Sequence, residues 1–503
     1  MKPERLAKAA VTSMSTRTTA AVLGLLVLAS WGTGPAGAQN TAVPERIFPA
    51  DALREDLGTL WAVLDEGHGG LERYTPRDTL KRGFDETATR LTEPMTELDF
   101  YRTILPLIAA IKDGHTSVRL SDAGRTAFLA RPVFFPFELR FVEGKAHVFR
   151  NLSERREIRD GSEILEINGT PMAAVLQTLL PLVPCDAGIL SRRLRLLEMP
   201  GTFGQYLALA FGQPDSFRLR IRSRADGAAS DVTVPGIAGR DIGRIFQERY
   251  PEPGSAKPLY GLTYRGSTAV LTIRGFGDDR GAGTVPYPEF IQRTFRELEA
   301  RKVPSLVIDL RGNGGGRDEY GRLLFAHFMD RPFQYYKALE VKKDRFDFFK
   351  YVVGTRPDWP AAALRKNARG WYDVTAHPNV GTMMPEAPRF TGRTVILVDG
   401  LSFSTTGETT SLFHFHKKAT FMGEECGAGY YGNTSGSTAN VVLPRTGIQV
   451  RVPLVLYTLA VDGYPRDRGI VPDIPVAPTI EDLLARRDVV MERAVRFLAT
   501  GTR

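Results

Sequence analysis

The sequence predicts an α/β multidomain protein. It has a helical N-terminal region, a β-rich middle module and an α/β core with a largely parallel sheet. Three observations carry this reading. From Ala269 to Met422, short apolar strands alternate with helical stretches, the order expected of βαβ units. From Phe135 to Val234, short alternating segments are bracketed by Asp-Gly and Asn-Gly turns. From about 47 to 112, apolar residues recur at helical spacing. A length of 503 residues accommodates roughly three domains.

The first 38 residues read as an export signal. A basic leader (Lys2, Arg5, Lys8, Arg17) precedes an apolar segment, Ala20 to Trp31, and a small-residue cleavage pattern, Ala36-Gly37-Ala38. The expectation is a mature N-terminus near Gln39 and a periplasmic or secreted protein. No later apolar run reaches ~18 residues, so no stable membrane span is expected after cleavage. The formal net charge is +9, but the basic residues are spread along the chain, which argues against a nucleic-acid partner. The two cysteines, Cys185 and Cys426, form no CxxC or Cys/His cluster. No metal or other cofactor is expected. One disulfide between them and two buried thiols both fit the sequence.

The helical region spans 39–120. It contains Leu53, Leu57, Leu60 and Leu64, then Leu80, Phe84 and Leu91, then Ile104, Leu105, Ile108 and Ile111. It ends at Lys112-Asp113-Gly114-His115-Thr116. The middle module spans 121–240. Its run from Ile158 to Thr170, with an amphipathic stretch Met172 to Leu180 behind it, resembles a PDZ domain, which binds an extended peptide by adding a strand to a sheet edge. Residues 181 to 213 read as an insertion. The core spans 241–503, with predicted strands at Ala269–Ile273, Ser305–Asp309, Thr394–Val398 and Ala419–Met422. Helices are predicted from Pro288 to Arg301, near Glu319 to Phe328, over Thr405 to His416 and from Ile480 to Leu498.

Two strand ends in this core carry the chemistry. One is Leu310-Arg311-Gly312-Asn313-Gly314-Gly315-Gly316, whose glycines free backbone N–H groups to meet an anion or simply make a tight turn. It is not a dinucleotide fingerprint, because Arg317 stands where the third glycine belongs. The other is Asp399-Gly400-Leu401-Ser402-Phe403-Ser404-Thr405, a serine turn opening a helix. A serine there serves as a cap or as a nucleophile. A donor turn beside a serine turn is the constellation of acyl transfer with an oxyanion hole. His414 and His416 stand at i and i+2, which does not place them on one helix face for a metal.

Taken together, Asp309-Leu310-Arg311-Gly312-Asn313-Gly314-Gly315, the Ser404 turn ending in Glu408, Met422-Gly423-Glu424-Glu425, Gly469-Ile470-Val471-Pro472-Asp473 and Asp113-Gly114-His115-Thr116 resemble the C-terminal-processing (tail-specific) serine peptidases and the tricorn-core branch. The resemblance implies a PDZ-like module and a crotonase-like α/β catalytic core. It also implies a peptide or protein substrate. The processing peptidases pair serine with a lysine in a Phe-Gly-Lys-Gly context, but Cys426-Gly427-Ala428-Gly429 has no lysine. The resemblance to the tricorn-like branch implies instead that Ser404 is the nucleophile and His115 the general base, although His115 also fits a buried structural role. On the same resemblance the oxyanion hole is formed by N–H groups of Gly314, Gly315 and Thr405, and Asp467 is a candidate orienting acid. The alternative is a non-catalytic ligand- or peptide-binding protein on the same fold.

Overall fold

The computed structural model describes residues 46–131, 133–251, 258–279 and 284–500. The expected export signal and its cleavage point lie outside them. The fold is a mixed α/β architecture with several separate sheets. Near the N-terminus, helices α1 (Ala50–Gly67), α2 (Arg77–Arg90) and α3 (Glu97–Ala109) bury Leu53, Leu60, Phe84, Phe100 and Ile104. Helix α3 starts where the Thr96 side chain accepts the Asp99 N–H, an N-cap bond.

The middle module is an antiparallel sheet of β1 (Phe137–Val142), β2 (Lys145–Asn151), β3 (Glu163–Ile167), β4 (Ser216–Arg222) and β5 (Ala229–Pro235), paired in that order. Helix α4 (Met172–Leu179) follows β3 after an Asn168-Gly169 turn with both residues at positive φ. The insertion folds into helices α5 (Leu190–Leu197) and α6 (Thr202–Phe211). The N-terminal end of α5 packs against the serine turn of the core. A side-chain carbon at Gly400 would lie 2.4 Å from the Ser191 carbonyl, so only glycine fits there.

The core sheet runs β6 (Tyr260–Arg265), β7 (Thr268–Ile273), β8 (Ser305–Asp309), β9 (Arg393–Val398), β10 (Thr420–Gly423) and β11 (Ile474–Pro475) in spatial order. The β6–β7 pair is antiparallel and every other pair is parallel. Strand order that follows chain order puts the crossover helices α7 (Tyr287–Ala300), α8 (Asp318–Ala326) and α9 (Thr405–Phe415) on one face. Alternate residues Leu306, Ile308, Ile396 and Val398 pack on that side, while Val307, Val395, Leu397 and Met422 pack beneath the terminal helix α10 (Val489–Thr500). Both faces are covered, as the continuous apolar strands require.

Three features depart from the sequence reading. The C-terminal helical stretch is broken. A short helix ends at Leu484, Arg486 takes a φ of 54°, and α10 begins after Asp488. Asp488 accepts the Met491 N–H and pairs with Arg311, which also grips Asp309 at the end of β8. The break thus locks α10 to the glycine turn. Second, the unassigned segment 332 to 392 supplies strands Tyr336–Val341, Leu364–Lys366 and Tyr372–Val374 to a sheet with Val455–Leu459 and Gly432–Asn433. Third, Ser117–Arg119 leaves the helical region to pair antiparallel with Gln449–Pro453, Val118 facing Val450. The cysteines are two separate buried thiols. Cys426 Sγ donates to the Ser402 carbonyl (3.1 Å).

Ile308 is fully buried in the central strand. Truncation to alanine leaves a cavity between sheet and helices, so Ile308→Ala should lose ~2–5 kcal/mol of stability, read as a lowered urea midpoint.

Candidate active site

The two loops at the carboxyl ends of β8 and β9 are stitched together by their own polar groups. The Asp399 carboxylate accepts N–H groups from Gly312 (3.0 Å), Leu401 (2.9 Å) and Ser402 (3.0 Å). The Phe403 N–H meets the Asn313 carbonyl (3.0 Å), and the Thr405 hydroxyl donates to the Gly316 carbonyl (2.8 Å). Ser402 is spent inside the turn, its Oγ donating to the Leu310 carbonyl (2.9 Å). Ser404 stands at φ 58° and ψ −126°, a conformation costly for any residue with a Cβ, immediately before α9. Such a strained strand-to-helix turn presents a serine hydroxyl at the sheet's carboxyl edge.

His115 meets that hydroxyl. Its Nε2 lies 3.1 Å from Ser404 Oγ, and its ring stacks on Phe403 at 4.6 Å and 26°. The pair is 3 % and 4 % exposed. The loop carrying His115 is held by the strand pairing at Val118 and by a polar knot at Asp113. Asp113 accepts from the hydroxyls of Thr116 (2.5 Å) and Thr434 (2.7 Å), and its Oδ2 lies 3.3 Å from His68 Nε2. The His68 Nδ1 accepts the Gly70 N–H (3.0 Å), which leaves the proton of the neutral ring on Nε2. Burial opposes ionisation of Asp113, but the bonds and charges of the neighbouring histidines and the Thr116 hydroxyl hold it well below the usual carboxylate range. Burial pushes His115 down to about 3, with Asp113 opposing and Arg451, Arg192 and Arg73 adding to the depression. The imidazole is therefore a neutral acceptor near neutral pH.

The other expected site residues fall in different places. Gly315 touches Ser404 directly. It has a φ of 105°, and a side-chain carbon on it would lie 2.6 Å from Ser404 Cβ. Its N–H, however, is donated to Asn313 Oδ1 (2.9 Å), so it is not available as an oxyanion donor. The expectation for Gly315 is corrected to one of close approach. The N–H groups of Gly314 and Thr405 meet no acceptor among the described residues. Asp467 is exposed and makes no hydrogen bond or ion pair among the described residues, so it does not orient His115 in this structure. The acids close to the imidazole are Asp113 and Asp186. A ring nitrogen of His115 and one oxygen from each of them all lie within 4.8 Å of one another. That spacing suits a cation, but three nearby arginines act on His115 and oppose one. Asp186 escaped sequence reasoning because it lies in the insertion, 71 positions from His115, with no motif around it.

One turn into α9, Glu408 is buried with its Oε1 accepting from Asn433 (2.6 Å) and its Oε2 facing the hydroxyls of Tyr336 (2.9 Å) and Tyr335 (3.3 Å). Tyr336 also donates to Asp318 (2.6 Å). One phenolic proton cannot serve both carboxylates, so Glu408 holds its own. Burial, reinforced by the Asp318 charge, pushes Glu408 up to about 8.

A search of the curated proteins finds no match to this chain. The model of "Peptidase family S41" matches residues 267–476. Among solved structures, the fold is similar to that of mature CPAF, at 17% identity and a TM-score of 0.59, covering 90% of this chain and 99% of that one. Mature CPAF complexed with lactacystin gives a TM-score of 0.60 at the same identity and coverage. The photosystem II D1 C-terminal processing protease is a weaker likeness, with a TM-score of 0.40 at 14% identity over 86% of this chain and 96% of that one.

Because unfolding lets Glu408 ionise above its ordinary range while the folded state keeps it protonated, its contribution weakens the fold as pH rises toward 8. An amide mimics the protonated acid. The melting temperature of Glu408→Gln should rise relative to the parent as pH goes from ~5 to ~8, measured by circular dichroism. The strands that lead into the serine turn and the glycine turn both lie within residues 267–476, the stretch that the model of Peptidase family S41 matches.

Proposed function

We propose that the protein is an exported serine peptidase that hydrolyses peptide bonds through Ser404 and His115, without a lysine base. The observation that carries this is the 3.1 Å contact between His115 Nε2 and Ser404 Oγ, made to a serine held at positive φ beside the start of α9. Ser404 donates its proton to Nε2 as its Oγ attacks the scissile carbonyl, and the imidazolium returns that proton to the leaving amine. The N–H groups of Thr405 and Gly314 receive the developing oxyanion, helped by the N-terminal dipole of α9. Gly315 keeps the glycine turn close enough for this. Water then hydrolyses the acyl-enzyme with His115 again the base.

The substrates are peptides or protein tails. The middle sheet with α4 is read as a PDZ-like module that takes an extended peptide along a sheet edge. The Lys2-to-Ala38 pattern supports export to the periplasm or beyond. No helix among the described residues is long and apolar enough to cross a membrane.

A fluorophosphonate probe tests the nucleophile. Labelling should occur on the parent and on Ser402→Ala and vanish in Ser404→Ala; a folded Ser404→Ala that still labels overturns the assignment. His115→Ala should lose most of the labelling rate. Protonated imidazole cannot accept the serine proton, and burial holds His115 to about 3, so the parent rate should stay level as pH falls from ~7 to ~5. In Gly315→Val the added side chain strikes Ser404, and the expected loss is in kcat, measured on a peptide substrate.

A further inference from the structure

His115 has a second ring nitrogen that the mechanism leaves unused. Its Nδ1 is buried and has no hydrogen-bond partner among the described residues. When Nε2 accepts from Ser404, Nδ1 carries the ring hydrogen, and it becomes a donor of a full cation once the serine proton arrives. A buried donor left without a partner is destabilising, and more so when charged.

Two carboxylates are near enough to matter. Asp113 is drawn into the knot that holds its own loop, its Oδ2 accepting from Thr116 beside His68 and its Oδ1 accepting from Thr434. Asp186 has capacity left. Among the described residues its Oδ1 accepts only the Gly114 N–H (2.8 Å) and its Oδ2 only the Gly429 N–H (3.1 Å), so each oxygen keeps a lone pair. Those two bonds also aim it, because Gly114 immediately precedes His115. The surroundings are polar. A side-chain carbon at Gly429 would meet the Tyr74 hydroxyl at 2.0 Å and Arg73 Nη2 at 3.4 Å, and Tyr74 Oη and Arg73 Nη1 are themselves buried without partners. Burial raises Asp186 above the usual carboxylate range, and the Arg73 charge opposes that shift.

We infer that Asp186 is the positioning acid of His115, accepting the Nδ1 hydrogen through one bridging water and so fixing the tautomer that leaves Nε2 free for Ser404. A ring nitrogen of His115 and an oxygen of Asp186 lie within 4.8 Å of each other, Nδ1 has no direct hydrogen bond among the described residues, and a single water among several polar partners bridges such a pair. The serine proton stays on Nε2 during attack, and Asp186 remains a carboxylate throughout. The inference rests on the serine–histidine reading above, and it places the orienting role on the insertion in place of Asp467.

The test uses the full chain with 15N-labelled histidine. The chain has seven histidines, so the His115 signals can be assigned by their loss in His115→Ala. The parent should show hydrogen on Nδ1. In Asp186→Asn, the amide offers a donor in place of an acceptor, and the ring should shift toward the Nε2–H tautomer. Fluorophosphonate labelling of Ser404 should slow about 100-fold or more, as when a triad aspartate becomes asparagine. Asp186→Glu should recover part of the rate. A folded Asp186→Asn with the parent tautomer and parent rate overturns the inference, as does a parent whose Nδ1 is unprotonated at neutral pH, which is decisive even if the variants fail to fold. Failure of the parent to label instead overturns the peptidase mechanism, while the tautomer measurement still decides the role of Asp186.

Discussion

The site depends on one buried carboxylate more than on any other group. Asp399 sits at the end of the strand that leads to the serine and gathers N–H groups from its own turn and from the glycine turn of the neighbouring strand. Burial raises it above the usual carboxylate range, and these backbone donors oppose that shift. It is the group that gathers N–H donors from both loops, and the Phe403–Asn313, Ser402–Leu310 and Thr405–Gly316 bonds complete the join. With it, the serine turn is over-determined enough to hold Ser404 at positive φ. A strained backbone persists only where its surroundings leave it no alternative. Arg311 extends the same arrangement to the far face by clamping Asp309 and Asp488, so that α10 also supports the glycine turn.

Much of the core was legible in the sequence because its signals are local. Apolar runs of strand length, glycines at one strand end and serines at the next are read without knowing the fold, and the core strands fall within a residue or so of the expected positions. The histidine was legible only through resemblance, since nothing within the sequence links position 115 to position 404. Asp186 was not legible at all. It reaches the imidazole through packing of the insertion against the serine turn, which no periodicity encodes. The Gly315 error has a physical origin too. A glycine-rich turn announces free N–H groups, but not which of them a neighbouring asparagine will take. The break before α10 was hidden because Arg486 carries no helix-breaking signal and its left-handed conformation is imposed by tertiary contacts.

The buried polar groups around the site divide into two sets. Asp113, His68, Thr116 and Thr434 form a knot in which the Thr116 hydroxyl meets His68 and donates to Asp113, and the Thr434 hydroxyl donates to Asp113. Its effect is to hold a loop. The groups around Gly429 and His115 are instead incompletely matched, with Tyr74, Arg73 and His115 each keeping a buried polar atom without a partner among the described residues. Native interiors rarely tolerate several such groups together, and those that remain tend to mark chemistry.

The pairing of Ser117–Arg119 with Gln449–Pro453 has a consequence for the order of events during synthesis. His115 and Ser404 are 289 residues apart, and the strand that pairs beside the histidine loop lies later than either. A nascent chain that has emerged only through residue 403 lacks Ser404, and one that ends before 449 lacks the strand that pairs beside the histidine loop. The His115–Ser404 contact thus forms only when nearly the whole polypeptide is available. Under the proposed mechanism, activity would therefore be withheld until synthesis is almost complete.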